Sequence, residues 1–304
     1  MENHVREYSG RIFSSDDIKL IKEIASIYKK LSQTELASTV CEIIGWTLPN
    51  GNPKTAQCIK FLRILADEGQ LKLPVQNEKL IQSAHKRWEE GGKLREYASY
   101  STEEINTCSS ISLEIAKKGE SMLRWRTYMD KYHSLGDPHV NGSRIHYFIK
   151  SGERDLGCIL FSASSWALES RDEWIGWSSD DRKARLHLVV NNSRFLLLPW
   201  VQINNLASRS LSAASRRVQK DWLDRYCYAP VLLETFVEID KYKGTSYKAA
   251  NWIYVGETKG RGRNDTHGEK ALSRKAIYLY PLQRDFRKVL LGEKPCKAVN
   301  PDDM

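Results

Sequence analysis

The sequence predicts a mixed α/β (α+β) protein, with a winged helix-turn-helix-like N-terminal domain and a larger mixed-sheet domain that ends in a basic tail. Three observations carry that expectation. Two Ser-x-x-acid capping boxes, at Ser14/Asp17 and Ser32/Glu35, open consecutive amphipathic segments. From residue 120 onward, apolar runs of strand length alternate with stretches of helical periodicity. Finally, the positive excess is local: residues 241–288 hold 12 Lys/Arg against 4 Asp/Glu, whereas residues 1–80 hold 11 against 10. A length of 304 residues suits two domains, and 41% hydrophobic with 10% aromatic residues excludes disordered and fibrous classes.

In chain order, the first box starts a helix running to about Lys29, with Ile18, Ile21, Ile24 and Ala25 on one face. The second starts a helix that turns Leu36, Val40 and Ile43 inward and ends near Gly45. Residues 47–53 form a loop from which Asn52 caps a third helix with Pro53 in its first turn. On that helix Cys58, Ile59, Leu62, Leu65 and Ala66 share one side, and Gln57, Lys60 and Arg63 the other. Residues 70–74 alternate like a short wing strand. Three helices and a wing make residues 1–80 a candidate DNA-binding domain, with Gln57, Lys60 and Arg63 reading bases and Lys72 on a phosphate. Its near-neutral charge keeps open a helical interaction module.

Residues 81–119 read as a helical connector: a charged helix over 80–97, then a polar stretch over 99–112. The second domain spans residues 120–290. A helix over 120–133 carries Met122, Trp125 and Met129, and a hairpin follows from strands 145–149 and 157–162. A second hairpin is expected from strands 186–190 and 194–198 around Asn191-Asn192-Ser193, ended by Pro199. Asn205 caps a long helix to about Tyr226, residues 231–239 form an apolar strand, and residues 245–255 form a helix.

Six cysteines at least 17 residues apart, with no paired Cys/His spacing, exclude a zinc finger and fit reduced thiols. The longest strongly apolar stretch, residues 195–201, is far short of a membrane span, and the charged N-terminus lacks a secretory core; a cytoplasmic location without membrane contact is expected. The segment 260–263 lacks the Lys-Ser/Thr ending of a P-loop.

In the basic tail, Arg261 and Arg263 alternate with glycines, and Tyr242, Tyr247, Trp252, Tyr254, Tyr278 and Tyr280 interleave with the cations. Cations neutralise phosphates and rings stack on unpaired bases, so DNA is the expected partner, against a merely solvated basic face. Three residues are candidates for chemistry. Glu234 lies in an apolar strand, where a carboxylate needs an Arg partner, a metal or a catalytic role. His133 at a helix end could move protons or simply cap. Tyr247 beside the basic segment could attack a phosphodiester or stack. Arg194, Arg261 and Arg263 are phosphate-clamp candidates. No metal-ligand spacing identifies a cofactor, and a divalent metal stays open.

The order helix, hairpin, second hairpin, bulged strand, helix, strand, helix resembles the GNAT acetyltransferase fold. The resemblance implies an acetyl-CoA pyrophosphate cradle at the start of the long helix, where Gln202, Asn205 and Ala207 stand with Asn at the central Gly position. It also implies a general-acid Tyr where Trp252 stands. Both departures argue against acetyl-CoA and leave an acyltransferase as the last alternative. More specific are the phrases Tyr132-His133-Ser134-Leu135-Gly136, Arg171-Asp172-Glu173-Trp174-Ile175-Gly176-Trp177, Asn192-Ser193-Arg194-Phe195-Leu196, Glu234-Thr235-Phe236-Val237 and Gly244-Thr245-Ser246-Tyr247-Lys248-Ala249-Ala250-Asn251-Trp252, running into Gly260-Arg261-Gly262-Arg263. Together they resemble the DruA family of the Druantia anti-phage system, also met beside transposons, over about residues 10–290. The resemblance implies a DNA-directed role in defence or mobile-element biology beside a helicase-like partner, by nicking, cleavage or strand joining. The alternative is a non-catalytic recognition subunit.

Overall fold

A computed structural model describes residues 6–28, 31–47, 53–74, 100–137, 142–166, 168–258 and 273–298. The N-terminal part opens with a hairpin, β1 (Arg6–Tyr8) and β2 (Arg11–Phe13), absent from the sequence-based expectation. Helices α1 (Ser15–Ile27), α2 (Gln33–Ile43) and α3 (Thr55–Asp67) follow. Both capping boxes are formed: Ser14 Oγ accepts from the Asp17 amide at 3.1 Å, and Ser32 Oγ from the Glu35 amide at 3.2 Å. The third helix corrects its expected start. Lys54 stands at its N-cap without a side-chain cap, Pro53 precedes it, and Asn52 lies outside the described residues. Phe13, Trp46 and Phe61 pack as the aromatic centre of this part, Phe13 stacking on Phe61 at 4.4 Å. The described residues 70–74 form no strand, so the expected wing is not there; the strands of this part lie before α1.

The expected helix over 80–97 lies outside the described residues. The polar stretch after it leads into β3 (Ser112–Ile115), the first strand of a seven-stranded mixed sheet. Then come α4 (Glu120–Tyr132), β4 (Arg144–Ser151), β5 (Arg154–Ala163), α5 (Glu169–Ile175), α6 (Ser179–Arg185), a 3₁₀ turn at Leu186–Leu188 and β6 (Val189–Leu197). The chain continues through α7 (Leu206–Tyr226), β7 (Leu232–Glu238), α8 (Thr245–Ala249), β8 (Ile253–Glu257), β9 (Lys275–Pro281) and α9 (Phe286–Leu290). The strand order is β3-β4-β5-β6-β7-β9-β8, antiparallel throughout except for β6 beside β7. That one parallel pair touches only from Val189 to Asn191 opposite Leu232 to Glu234, after which the two strands part. Sheet order and parted parallel pair together make the body GNAT-like.

Three sequence-based expectations are corrected here. Residues 189–197 are one strand: Asn191-Asn192-Ser193 mimics a turn but forms a bulge, opposite the register shift between Leu160 and Phe161. The helix expected over 245–255 stops at Ala249, because Asn251 takes a left-handed conformation (φ 63°) and Ile253 begins an edge strand. The basic segment is therefore no tail, for it supplies α8 and the sheet's last two strands.

β4 and β5 read as nearly continuous apolar runs because both faces are covered. His146 packs edge-on to Trp125 of α4 at 4.6 Å, while its neighbour Tyr147 donates its hydroxyl to Asp221 of α7 at 2.8 Å. Successive strand residues face opposite ways, so α4 and α7 cover opposite faces of the sheet. The N-terminal helices dock through Tyr28, which meets His187 and Tyr228 edge-on, and through Glu35, ion-paired to Arg144 at 3.3 Å.

These histidines set an acid limit. Burial, reinforced by nearby arginine charge, holds His146 down at about 3 and His187 at about 4. The unfolded chain takes up those protons near pH 6.5, whereas the folded chain resists until pH 4 to 3. Their contribution is thus complete above pH 6.5 and is lost as pH falls through that window. The melting temperature is expected to decline from about pH 6.5 downward; a Tm unchanged to pH 4 would contradict these environments.

Candidate functional site

The bulge at Ser193 decides what lies where β6 and β7 part. Phe161, opposite Asn192, shares the α7 face with Tyr147; Leu160, opposite Arg194, shares the α4 face with His146. Asn192 and Arg194, two residues apart, therefore point to opposite faces. On the α7 face, the Tyr247 hydroxyl from α8 donates to Asn192 Oδ1 at 2.7 Å and also accepts from Thr235 Oγ1 at 3.4 Å. Thr235 Oγ1 in turn donates to the Asn192 carbonyl at 3.0 Å. The Tyr247 ring stacks on Tyr278 at 5.9 Å and meets Trp252 edge-on at 5.2 Å. Burial pushes its hydroxyl up to about 12, so at neutral pH it is a protonated phenol donating to an amide. As a nucleophile it would first have to lose that proton.

On the α4 face, His133 ends α4, and its Nδ1 accepts from the Leu135 amide at 3.1 Å. Burial first, then the Arg194 charge, lowers it to about 4. Arg194 donates from Nε to the Gly136 carbonyl at 3.0 Å and from Nη1 to the Ser193 carbonyl at 2.7 Å. Most of its fork is committed to main chain. As a phosphate clamp it keeps Nη2.

Glu234 meets an Arg partner, one of the three alternatives its place in an apolar strand left open. It is fully buried on β7, and its carboxylate accepts from Arg171 Nη1 at 2.8 Å and from the Ser165 amide at 2.8 Å. Arg171, equally buried, continues to Asp172 at 2.8 Å and lies over the Trp177 ring at 5.5 Å; Arg182 closes the chain on Asp172 at 2.8 Å. Burial works against the Arg171 charge and the carboxylates of Glu234 and Asp172 outweigh it, leaving its pKa raised. Both oxygens of this enclosed carboxylate are thus met by donors of the protein, the arrangement of a buried ion pair. Sequence reasoning named an Arg partner for Glu234 as one alternative but did not identify it as Arg171, 63 residues away. The signal was present: an acid in an apolar strand requires a buried cation somewhere in the chain. Among the described residues no three His, Cys, Asp or Glu side chains cluster to hold a metal.

In the loop before α7 the main chain is partly engaged within the protein. The Gln202 amide donates to the Ile105 carbonyl at 2.9 Å, and the Ile105 amide to the Trp200 carbonyl at 2.9 Å, so the connector is laid along the loop. Asn205 takes a left-handed conformation (φ 57°) without a side-chain cap, correcting its expected capping role. Trp252 is buried in the aromatic cluster.

The most open chemistry is at the β8 edge. Tyr242 is 59% exposed, Tyr254 49% and Ile253 42%, and exposed Lys241, Lys243 and Lys248 flank them. Tyr278 gathers these groups: Tyr254 packs against it at 5.7 Å, and Gly244 backs onto its hydroxyl. Arg274 ion-pairs Glu257 at the same edge. Arg261 and Arg263 lie outside the described residues, between residues 258 and 273. In the N-terminal part Lys60, Arg63 and Lys72 are exposed and Gln57 is half-buried; Arg63 Nη2 reaches Gln33 Oε1 at 3.4 Å. The structure thus separates the three candidates for chemistry: Tyr247 lies on one face of the sheet, and His133 and Glu234 on the other.

Solved structures similar to this chain are acetyltransferases. The Salmonella typhimurium enzyme that modifies the N-terminal serine of a 50S ribosomal subunit protein matches at 10% identity and TM-score 0.34, over 58% of this chain and 97% of that one. A GNAT-family acetyltransferase from Bacillus cereus ATCC 10987 matches at 10% identity and TM-score 0.32, over 58% of this chain and all of that one. Comparison with curated proteins returns no match. Among the described residues no helix is long and apolar enough to cross a membrane. The family profile described as Druantia protein DruA matches residues 66–269, two thirds of the chain, and the chain belongs to the DruA family.

Proposed function

We propose that this chain is a DNA-binding component of a bacterial, cytoplasmic anti-phage system of the Druantia kind, or of a related mobile element. It recognises DNA at the β8 edge and leaves strand chemistry to a helicase-like partner. The observation that carries this reading is the exposure of Tyr242, Tyr254 and Ile253 among Lys241, Lys243 and Lys248: open rings stack on bases while ammonium groups hold phosphates. Arg261 and Arg263, which lie outside the described residues, remain phosphate-clamp candidates, and Gln57, Lys60, Arg63 and Lys72 form a second surface. The non-catalytic alternative is preferred to nicking because the Glu234 carboxylate and the Tyr247 hydroxyl are engaged within the protein, as is His133 Nδ1.

The test is binding to labelled single-stranded, duplex and forked DNA across a salt series. Three lysine–phosphate contacts on a single strand predict a fall of about 20-fold between about 50 and 200 mM salt. Combined Lys241→Glu and Lys243→Glu is expected to flatten that dependence. Tyr242→Ala is expected to weaken single-strand binding about tenfold or more, with less effect on duplex. Absence of binding at low salt, or indifference to these variants, would sink the assignment. In the same mixtures with magnesium, a cleavage product made by the wild type and lost in Tyr247→Phe or Glu234→Gln would overturn the non-catalytic reading.

A further inference from the structure

A cavity of about 230 Å³ opens on the α4 side, away from the β8 edge, between the β4–β5 turn, α4, the segment beginning at Tyr100 and the Trp200 loop. We propose that it binds a small organic cation, a guanidinium or primary ammonium, anchored on Asp155 Oδ1. This stands apart from the DNA reading.

Asp155 supplies the anchor. Its side chain is 9% exposed, and Oδ2 accepts from the Tyr128 hydroxyl at 3.1 Å and faces Arg124 Nε at 3.1 Å. Oδ1 is buried with no hydrogen-bond partner, a costly arrangement for a carboxylate that an incoming N–H donor removes. Burial keeps the Asp155 carboxyl above its ordinary range in spite of Arg124, a state that a further positive charge would relieve.

Aromatic rings form the wall. Trp200 stacks on Tyr100 at 5.8 Å and meets Tyr128 at 6.2 Å and 72°. Ring faces attract cations, and Lys131 Nζ already sits 5.9 Å from the Tyr100 centroid. Around the opening, exposed Glu103 and Glu153 join Asp155 against Arg124 and Arg154. Arg124 is spent on Asp155 and on the Phe148 ring, 4.7 Å from its guanidinium. The lining thus carries one more carboxylate than guanidinium.

The test is calorimetric titration of the full chain, at constant ionic strength, with methylguanidinium, methylammonium and a blocked Gly-Arg-Gly peptide. Saturable binding of at least one probe is expected, weakened about tenfold or more by Asp155→Asn, which exchanges a charged acceptor for a neutral one. Because Asp155→Asn also loosens Arg124, Glu103→Lys at the exposed rim serves as the second variant and is expected to weaken binding without altering the melt. A peptide that binds more tightly than the free ions would assign the cavity to a partner protein's arginine; tighter free ions would assign it to a metabolite cation. No saturable binding to the wild type, or wild-type affinity in both variants, would overturn the proposal.

Discussion

Replacing Arg171 with leucine is expected to destabilise the fold by about 3–5 kcal/mol, the largest single-residue effect anticipated. The loss comes less from the ion pair than from what remains: Glu234 at 0% exposure, keeping one amide donor and no cation. Glu234→Gln should be milder, because the amide can still accept from Ser165 and Arg171 keeps Asp172. The double change to leucine at both positions should recover much of the loss, since two apolar side chains leave no buried charge. Chemical denaturation reads all three. An Arg171→Leu protein within about 1 kcal/mol of the wild type would show that Glu234 finds another partner or a proton.

The second large effect is expected at Gly244, where α8 begins with φ +67°. A Cβ there would stand 2.2 Å from the Tyr278 hydroxyl oxygen and 2.6 Å from the ring carbon bearing it. Left-handed backbone and overpacking together give a cost of about 2–4 kcal/mol for Gly244→Ala. The variant also bears on function. Tyr278 is the ring on which Tyr247 stacks and Tyr254 rests, so pushing it aside should displace Tyr242 and Lys243 and reduce DNA affinity beyond the change in folded fraction. Adding Tyr278→Leu should relieve the clash and leave the backbone strain of about 1–2 kcal/mol. Full stability and full affinity in Gly244→Ala would refute this account of the edge.

How much of this was legible in the sequence depends on the range of the interaction concerned. The capping boxes at Ser14 and Ser32 close over three residues, so the helices they start could be read directly. The β4–β5 hairpin was likewise readable, because its turn lies between its own two strands. The β6 bulge was misread as a turn because Asn192 is a turn-former by type. Here its amide donates to the Arg194 carbonyl of its own strand at 3.0 Å and to the Leu160 carbonyl at 3.1 Å, the second of which only a neighbouring strand makes possible. The basic segment hid two strands because charge and aromatic content masked the alternation of an edge. The wing expected at residues 70–74 rested on alternation alone, and among the described residues no strand pairs with it.

The site divides in the same way. Sequence alone determined that residues 241–288 concentrate cations and aromatic rings, that Glu234 would need a partner, and that the Asn205 loop departs from a pyrophosphate cradle. Only the tertiary structure decided that Arg171 is that partner, that the connector carbonyl of Ile105 takes the loop's Gln202 amide, and that Tyr247 and His133 lie on opposite faces of the sheet. The physical reason is common to all three. A side chain's chemistry states what it must satisfy, but what satisfies it comes from residues 63, 97 or 55 positions away, and strand pairing and one bulged residue choose among them.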